Sequence, residues 1–307
     1  MIRPRALERG ARIALVAAAG PLPDGALDRA VARVTGLGWE PLPGAHSEGR
    51  HGYLAGTDAE RIEDLSAALE SPDNDAIWLL RGGYGTMRIL RHLDLSPLLR
   101  RPRPLIGFSD NTALHLTAQR LGVVTFHGPH PAAPELPGFA LERLRQVVAE
   151  DQPAGVLPLP ETHPHPQGLV PGTATGRLAG GNLSLLAATV GTQYQVDPRG
   201  AILFIEEVGE PLYRIDRLLT QLMLSGALEG AAAIAVGAMS ECPDEGGPGL
   251  PSPAEIVLDR LGPLGVPISC GLPFGHIPET WTLPLGVRAR LDAYAGTLEI
   301  LDPAVVR

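Results

Sequence analysis

The chain has 307 residues, few aromatics and a net charge of −9 at neutral pH, from 25 basic against 34 acidic side chains. That length suits two domains, or one large one, with ample core, and the charge argues against nucleic acid or an anionic membrane surface as the main partner. Two cysteines, Cys242 and Cys270, offer no disulfide framework and point to a reducing, cytoplasmic compartment, and no apolar run is long enough to span a bilayer.

Near the N-terminus, Arg3, Arg5, Arg9 and Arg12 precede a short alanine-weighted apolar run, residues 13–19, which imitates a signal peptide. A helical pattern follows directly, so the reading adopted is a buried first strand over 13–18 ending in a turn at Gly20-Pro21. Leu27, Val31 and Val34 then fall on one helical face. Thr57-Asp58-Ala59-Glu60 has the form of a capping box, and Ile62, Leu65 and Leu69 continue that helix inward. Residues 76–80 form a fully apolar strand, followed by Arg81-Gly82-Gly83-Tyr84-Gly85 and a helix over 86–92. A short strand ending at Gly107 leads into Ser109 on a turn, then a helix to Arg120, then an apolar strand over 123–126. Continuous apolar strands joined by helices imply a parallel sheet covered on both faces, with ligands bound beyond its carboxyl ends. The Gly83 loop and Ser109 both lie there.

From Pro129 to Pro171 prolines recur around one helix, residues 141–148. The segment reads as an ordered linker, which divides the chain into an α/β domain over 1–130, a Pro-rich linker over 131–170 and a β/α domain over 171–307. In the second half Asn182 is a helix N-cap, residues 202–205 are a buried strand running into Glu206-Glu207, and Pro211 opens a helix through Leu218, Leu219 and Leu222. Shorter β-like runs follow at 233–239, 267–270, 280–284, 288–293 and 298–301, which makes the second domain mixed α/β.

The strand-turn-helix around Ser109 resembles a nucleophile elbow, although Asn111 stands where the second glycine of G-x-S-x-G would be. The competing reading is a serine that merely caps a helix. A serine nucleophile needs a base, a group to orient that base, and donors for the oxyanion. Of the nine histidines, His46, His51 and His92 lie in polar surroundings and His115 sits within a helix. His127 with His130 and His163 with His165 could suggest metal, but no third ligand follows at a recognisable spacing. His276 differs, because it lies on a glycine- and proline-framed loop after an apolar segment, as suits a general base. Glu206 and Glu207 end the buried strand and point to opposite sides, and periodicity does not say which of them faces a site. Gly82-Gly83-Tyr84-Gly85 lacks the endings of the dinucleotide and P-loop motifs. Its glycines would let backbone N–H groups approach a substrate oxygen, or form only a tight turn.

Six motifs in order then carry a resemblance: Arg81-Gly-Gly-Tyr-Gly, Gly107-Phe-Ser-Asp, His127-Gly-Pro, Gly180-Gly-Asn-Leu, Leu203-Phe-Ile-Glu206 with Tyr213-Arg-Ile-Asp-Arg, and Gly275-His276. Their order resembles that of the LD-carboxypeptidase family of serine peptidases over nearly the whole chain. The resemblance implies an N-terminal flavodoxin-like parallel sheet and a smaller swivelling β/α domain, commonly as a homodimer. It implies a triad of Ser109, Glu206 and His276, and an oxyanion hole from the N–H groups of Gly83 and Asp110, with no metal and no cofactor. It selects Glu206 over Glu207; relatives often have Asp at the Glu207 position, a difference that touches packing more than chemistry. The activity implied is hydrolysis of an L,D-peptide bond, releasing the terminal D-alanine of a murein tetrapeptide in cytoplasmic cell-wall recycling. Cleavage of microcin C-type peptidyl nucleotides is the alternative within the family. A non-catalytic α/β protein that binds an anion at the Gly83 loop is the alternative outside it.

Overall fold

The first half supplies five parallel strands, β1 (Arg12–Val16), β2 (Glu40–Pro43), β3 (Ala76–Leu79), β4 (Leu105–Gly107) and β5 (Thr125–His127), of which four come from its apolar runs and β2 from a Glu-Pro-Leu-Pro segment that is not buried. In this computed structural model, which describes residues 1–242 and 249–307, they are ordered β5-β4-β3-β1-β2, the flavodoxin-like arrangement. All four residues of β3 and all three of β4 are buried, as a sheet covered on both faces requires. The helix Ala26–Gly36 turns Ala26, Ala30 and Val34 inward, and Leu27 and Val31 are only half-buried. Thr57 does cap the helix Asp58–Glu70, with its hydroxyl accepting from Glu60 N while the Glu60 carboxylate accepts from Thr57 N. Such a box satisfies two of the donors that a helix start leaves open, worth about 1 kcal/mol.

The second sheet has β6 (Gly155–Val156), β7 (Gln167–Val170), β8 (Thr173–Asn182), β9 (Ala201–Val208), β10 (Ala233–Ser240) and β11 (Ile268–Cys270). The chain then supplies β12 (Leu283–Leu285) to the first sheet, antiparallel against β5, and adds β13 (Arg288–Asp292) and β14 (Thr297–Ile300) to the second. The order is β6-β14-β13-β8-β9-β10-β11-β7, with β8 to β11 parallel and the edges antiparallel. The helix Leu212–Leu224, which begins directly after Pro211, buries Leu212, Ile215, Leu219 and Leu222. At about 1.5–3 kcal/mol per buried aliphatic side chain, that stripe outweighs any terminal effect on the helix.

The chain divides into two compact units, Met1–Gln152 with Thr282–Gly286 and Pro303–Arg307, and Pro153–Trp281 with Val287–Asp302. The division differs from the expected one at 130 and 170. Residues 131–152 belong to the first unit, because the helix Gly138–Ala149 buries Leu144, Val147 and Val148 there. Residues 153–170 supply two strands of the second sheet rather than a linker. The β-like run at 280–284 serves the first sheet, not the second.

Candidate active site

In the first unit β4 ends at Gly107, a 3-10 turn covers Ser109–Asn111, and the helix Thr112–Arg120 follows. Ser109 has φ 62°, and among the described residues only Glu241 shares a positive φ without being glycine. An L-residue held in this left-handed region costs on the order of 1–2 kcal/mol, a strain that persists only where neighbours enforce it. The capping reading fails: the helix N-cap is Asn111, the turn is preceded by Phe108, and neither has a side-chain cap. The enforcing contacts are specific. Fully buried His115 donates from Nε2 to Gly107 O at 2.8 Å, and burial pushes its pKa down to about 4, so the ring is neutral at neutral pH. Asn111 donates from Nδ2 to Arg81 O at 3.2 Å, and Asp110 Oδ2 accepts from Thr86 N at 2.7 Å. Burial raises the pKa of the Asp110 carboxyl, and the Thr86 hydrogen bonds and the Arg61 charge hold it back.

The glycine loop lies against this turn. A Cβ on Gly82 would stand 2.6 Å from Ser109 Cβ and 2.8 Å from Ser109 Oγ, so only glycine permits the approach. Gly82 O accepts from Gly20 N at 2.9 Å. Arg61 is 1% exposed and donates from Nη1 to Ala18 O at 2.7 Å and Gly85 O at 2.9 Å, which ties the far side of the loop to the end of β1. Gly83 has φ 105°. Asp110 is the second residue of the 3-10 turn, where N–H groups lack an acceptor within the turn. Gly82→Ala is therefore expected to lower turnover by about 100-fold or more through displacement of Ser109, since misplacement by about 1 Å costs that much. Steady-state kinetics with a thermal melt as folding control measure it; wild-type turnover by a folded variant would exclude Ser109 from the chemistry.

In the second unit the strand β9 carries both candidate acids, each buried. Glu206 Oε2 lies 2.7 Å from His276 Nδ1. An ionised carboxylate can only accept, so Nδ1 carries the proton, and Nε2 becomes the accepting nitrogen of a neutral ring. Glu207 points the other way: Oε1 accepts from Asn182 Nδ2 at 2.9 Å and Val208 N at 2.8 Å, and Oε2 from Ser184 N at 2.8 Å and Ser184 Oγ at 2.7 Å. It anchors the start of the helix Leu183–Ala188, where Asn182 Oδ1 also caps Leu185 N. His276 reaches β9 because the β9–β10 ladder is interrupted between Val236 and Met239. Ala238 N there donates to Phe274 O at 2.9 Å, and Phe274 packs edge-on against Phe204 with centroids 5.7 Å apart. At Gly275, with φ 107°, a Cβ would stand 2.8 Å from Glu206 Oε2, so the loop can cross the carboxylate only as glycine.

The LD-carboxypeptidase N-terminal domain profile matches residues 13–128, and the C-terminal domain profile matches residues 175–291. The chain belongs to the LD-carboxypeptidase family. It is 36% identical over 292 residues to the murein tetrapeptide carboxypeptidase of Pseudomonas aeruginosa, covering 92% of this chain and 93% of that protein. The solved muramoyltetrapeptide carboxypeptidase from Oxalobacter formigenes superposes with a TM-score of 0.82 at 31% identity, over 94% of this chain and 97% of that one. The microcin C7 self immunity protein MccF, solved in complex with aspartyl sulfamoyl adenosine, gives a TM-score of 0.90 at 24% identity over all of both chains, a likeness of fold. Family membership makes the chain a carboxypeptidase, as the order of its motifs implied.

Four of the remaining histidines have structural partners. His130 Nδ1 lies 3.0 Å from Leu79 O, and Phe108 packs edge-on against His127 and at a tilt against His130. His163 Nε2 lies 2.8 Å from Gly271 O, and His46 Nε2 lies 3.3 Å from Glu63 Oε2. Among the described residues no three His, Cys, Asp or Glu side chains are grouped to hold a metal, and no helix is long and apolar enough to cross a membrane. Exhaustive chelation is expected to leave turnover unchanged; activity lost to EDTA and restored by zinc would overturn a serine mechanism. The sequence pattern does not single out Arg61 and marks His115 only as a residue within a helix. Nothing in the spacing of either reveals which carbonyl it will reach.

Proposed function

We propose that the chain is a metal-independent serine LD-carboxypeptidase that releases the terminal D-alanine of murein tetrapeptides. In this reading Ser109 is the nucleophile, His276 its general base, and Glu206 the residue that orients the imidazole and stabilises its protonated form. The N–H groups of Gly83 and Asp110 donate to the tetrahedral oxyanion. His276 returns the proton to the departing D-alanine amine, and water, activated by the same base, releases the acyl-enzyme. The observation that carries the reading is Ser109's left-handed backbone between a buried strand and a helix, a strain with no use in a capping residue. The Glu206–His276 bond supports it by fixing the tautomer a general base needs.

The murein substrate rests on the relatives named for murein peptides. The reading includes a cytoplasmic homodimer, and the two free cysteines agree with a reducing compartment. Turnover of an L,D-tetrapeptide set beside a peptidyl adenylate tests the substrate: faster hydrolysis of the adenylate would move the chain to the peptidyl-nucleotide branch. A fluorophosphonate probe is expected to label Ser109 and no other serine. An unlabelled protein that still binds anions at the Gly83 loop would favour a non-catalytic role.

A further inference from the structure

The first unit carries a concave site at the end of its sheet remote from Ser109. It encloses about 790 Å³ where the chain enters β1, β3 and β4, beside Ala11, Asp75 and Arg103. Substrates of open α/β sheets bind beyond the carboxyl ends of the strands, so this cavity at the amino ends is separate from the candidate active site.

Its lining is dominated by arginine. Arg3, Arg5 and Arg9 come from the segment before β1, and Arg100, Arg101 and Arg103 from the segment before β4. They face two carboxylates, Glu8 and Asp75, in a chain whose net charge is −9. Asp75 is already engaged, with Oδ2 accepting from Arg12 N at 2.8 Å and Oδ1 lying 3.6 Å from Arg101 Nη2. Arg103 is 3% exposed, and its Nη1 donates to Ala68 O, Ser71 O and Asn74 O at 3.2, 2.8 and 3.2 Å. Its Nε is buried with no partner among the described residues. Burial, reinforced by the Arg101 charge, pulls its pKa down to about 10, which still leaves it cationic at neutral pH. Like charges gathered in this way repel one another, and an anion placed among them would relieve that repulsion.

We propose that this cavity binds a small ligand bearing two or more phosphate groups. Guanidinium forks match phosphate oxygens in pairs, and arginines from two separate segments can grip adjacent phosphates from two sides. The volume lies within the range of about 300–1,000 Å³ typical of small-molecule sites. A nucleic acid would have to extend past the cavity over a surface of net negative charge, which disfavours it.

Calorimetric titration of the full chain with ATP and with inorganic pyrophosphate, at salt near 50 mM, is expected to show saturable one-site binding. The melting temperature should rise with ligand concentration as mass action requires. Arg5→Gln combined with Arg100→Gln, both exposed residues, should weaken binding by about tenfold or more, since each removes a charge-assisted contact. The variant's ligand-free melting temperature and its turnover should stay at the wild-type values; should it unfold, Arg9→Gln in its place reads the same loss. No saturable binding of either ligand up to about 10 mM would overturn the proposal, because mass action would then give no measurable stabilisation. So would equal affinity in variant and wild type, or tighter binding of a single-stranded oligonucleotide than of ATP.

Discussion

Ser109→Ala is expected to abolish hydrolysis of an L,D-tetrapeptide while leaving the protein folded. Triad knockouts in serine hydrolases cost on the order of 10⁶ in turnover, because the residual rate comes only from binding and the oxyanion donors. The fold should not notice, since Ala keeps the Cβ that contacts Gly82 and removes only the hydroxyl. The left-handed φ of 62° adds a second readout. Ser109→Gly should be equally inactive yet melt at or above the temperature of Ser109→Ala, because glycine adopts that region without strain. The gain is at most about 1 kcal/mol, since glycine also loses more entropy on folding. Near-normal turnover by Ser109→Ala would remove Ser109 as the nucleophile. A Ser109→Gly variant markedly less stable than Ser109→Ala would remove the strain argument.

Glu206→Gln and Glu207→Gln are expected to fail in opposite ways. Glu206→Gln keeps the volume at the 2.7 Å contact with His276 Nδ1 but removes the charge that stabilises the imidazolium formed during attack. It can also present an amide N–H to the ring and select the wrong tautomer. The corresponding acid-to-amide change in a related triad costs about 10⁴ in turnover. Glu207 accepts from Asn182 Nδ2, Val208 N, Ser184 N and Ser184 Oγ, three of which can only donate. An amide there turns one accepting oxygen into a donor that faces donors, at a cost of about 1–3 kcal/mol in stability. Glu207→Gln should therefore lower the melting temperature while holding turnover of the folded fraction within roughly tenfold, as its carboxylate faces away from His276. Kinetics and melts on both variants with one substrate separate the outcomes. A large kinetic loss at Glu207 with a small one at Glu206 would reverse the assignment.

Both predictions depend on features of very different legibility. The capping box at Thr57-Glu60, the buried runs that became β1, β3 and β4, and the cap at Asn182 were readable because each is decided within a few residues. Other elements of the same local kind escaped. The helix Pro253–Leu261 opens with a capping box at Ser252-Glu255, and β8 is rich in threonine and glycine and lacks a continuous apolar run. The linker reading of 131–170 failed for a related reason. Proline density marks where helices stop, but it does not say to which sheet the intervening strands will pair.

By itself the sequence determined the parallel first sheet, the turn that places Ser109 beyond a strand's carboxyl end, and the presence of two adjacent acids at the end of a buried strand. Alternation and turn chemistry act over a handful of residues, so these follow from composition and spacing. The order of the six motifs went further and indicated the family. Tertiary structure alone decided that Ser109 is strained rather than capping, because His115, Asn111 and Gly82 enforce that backbone from positions up to 27 residues away in the chain. It alone paired Glu206 with His276, 70 residues apart, through a break in the β9–β10 ladder and a glycine crossing above the carboxylate. It alone gathered arginines from either side of β1 and β3 around one cavity. Apart from the His115–Gly107 bond, which spans eight residues, these are long-range contacts whose geometry depends on how whole strands register, and no local pattern of side chains encodes that register.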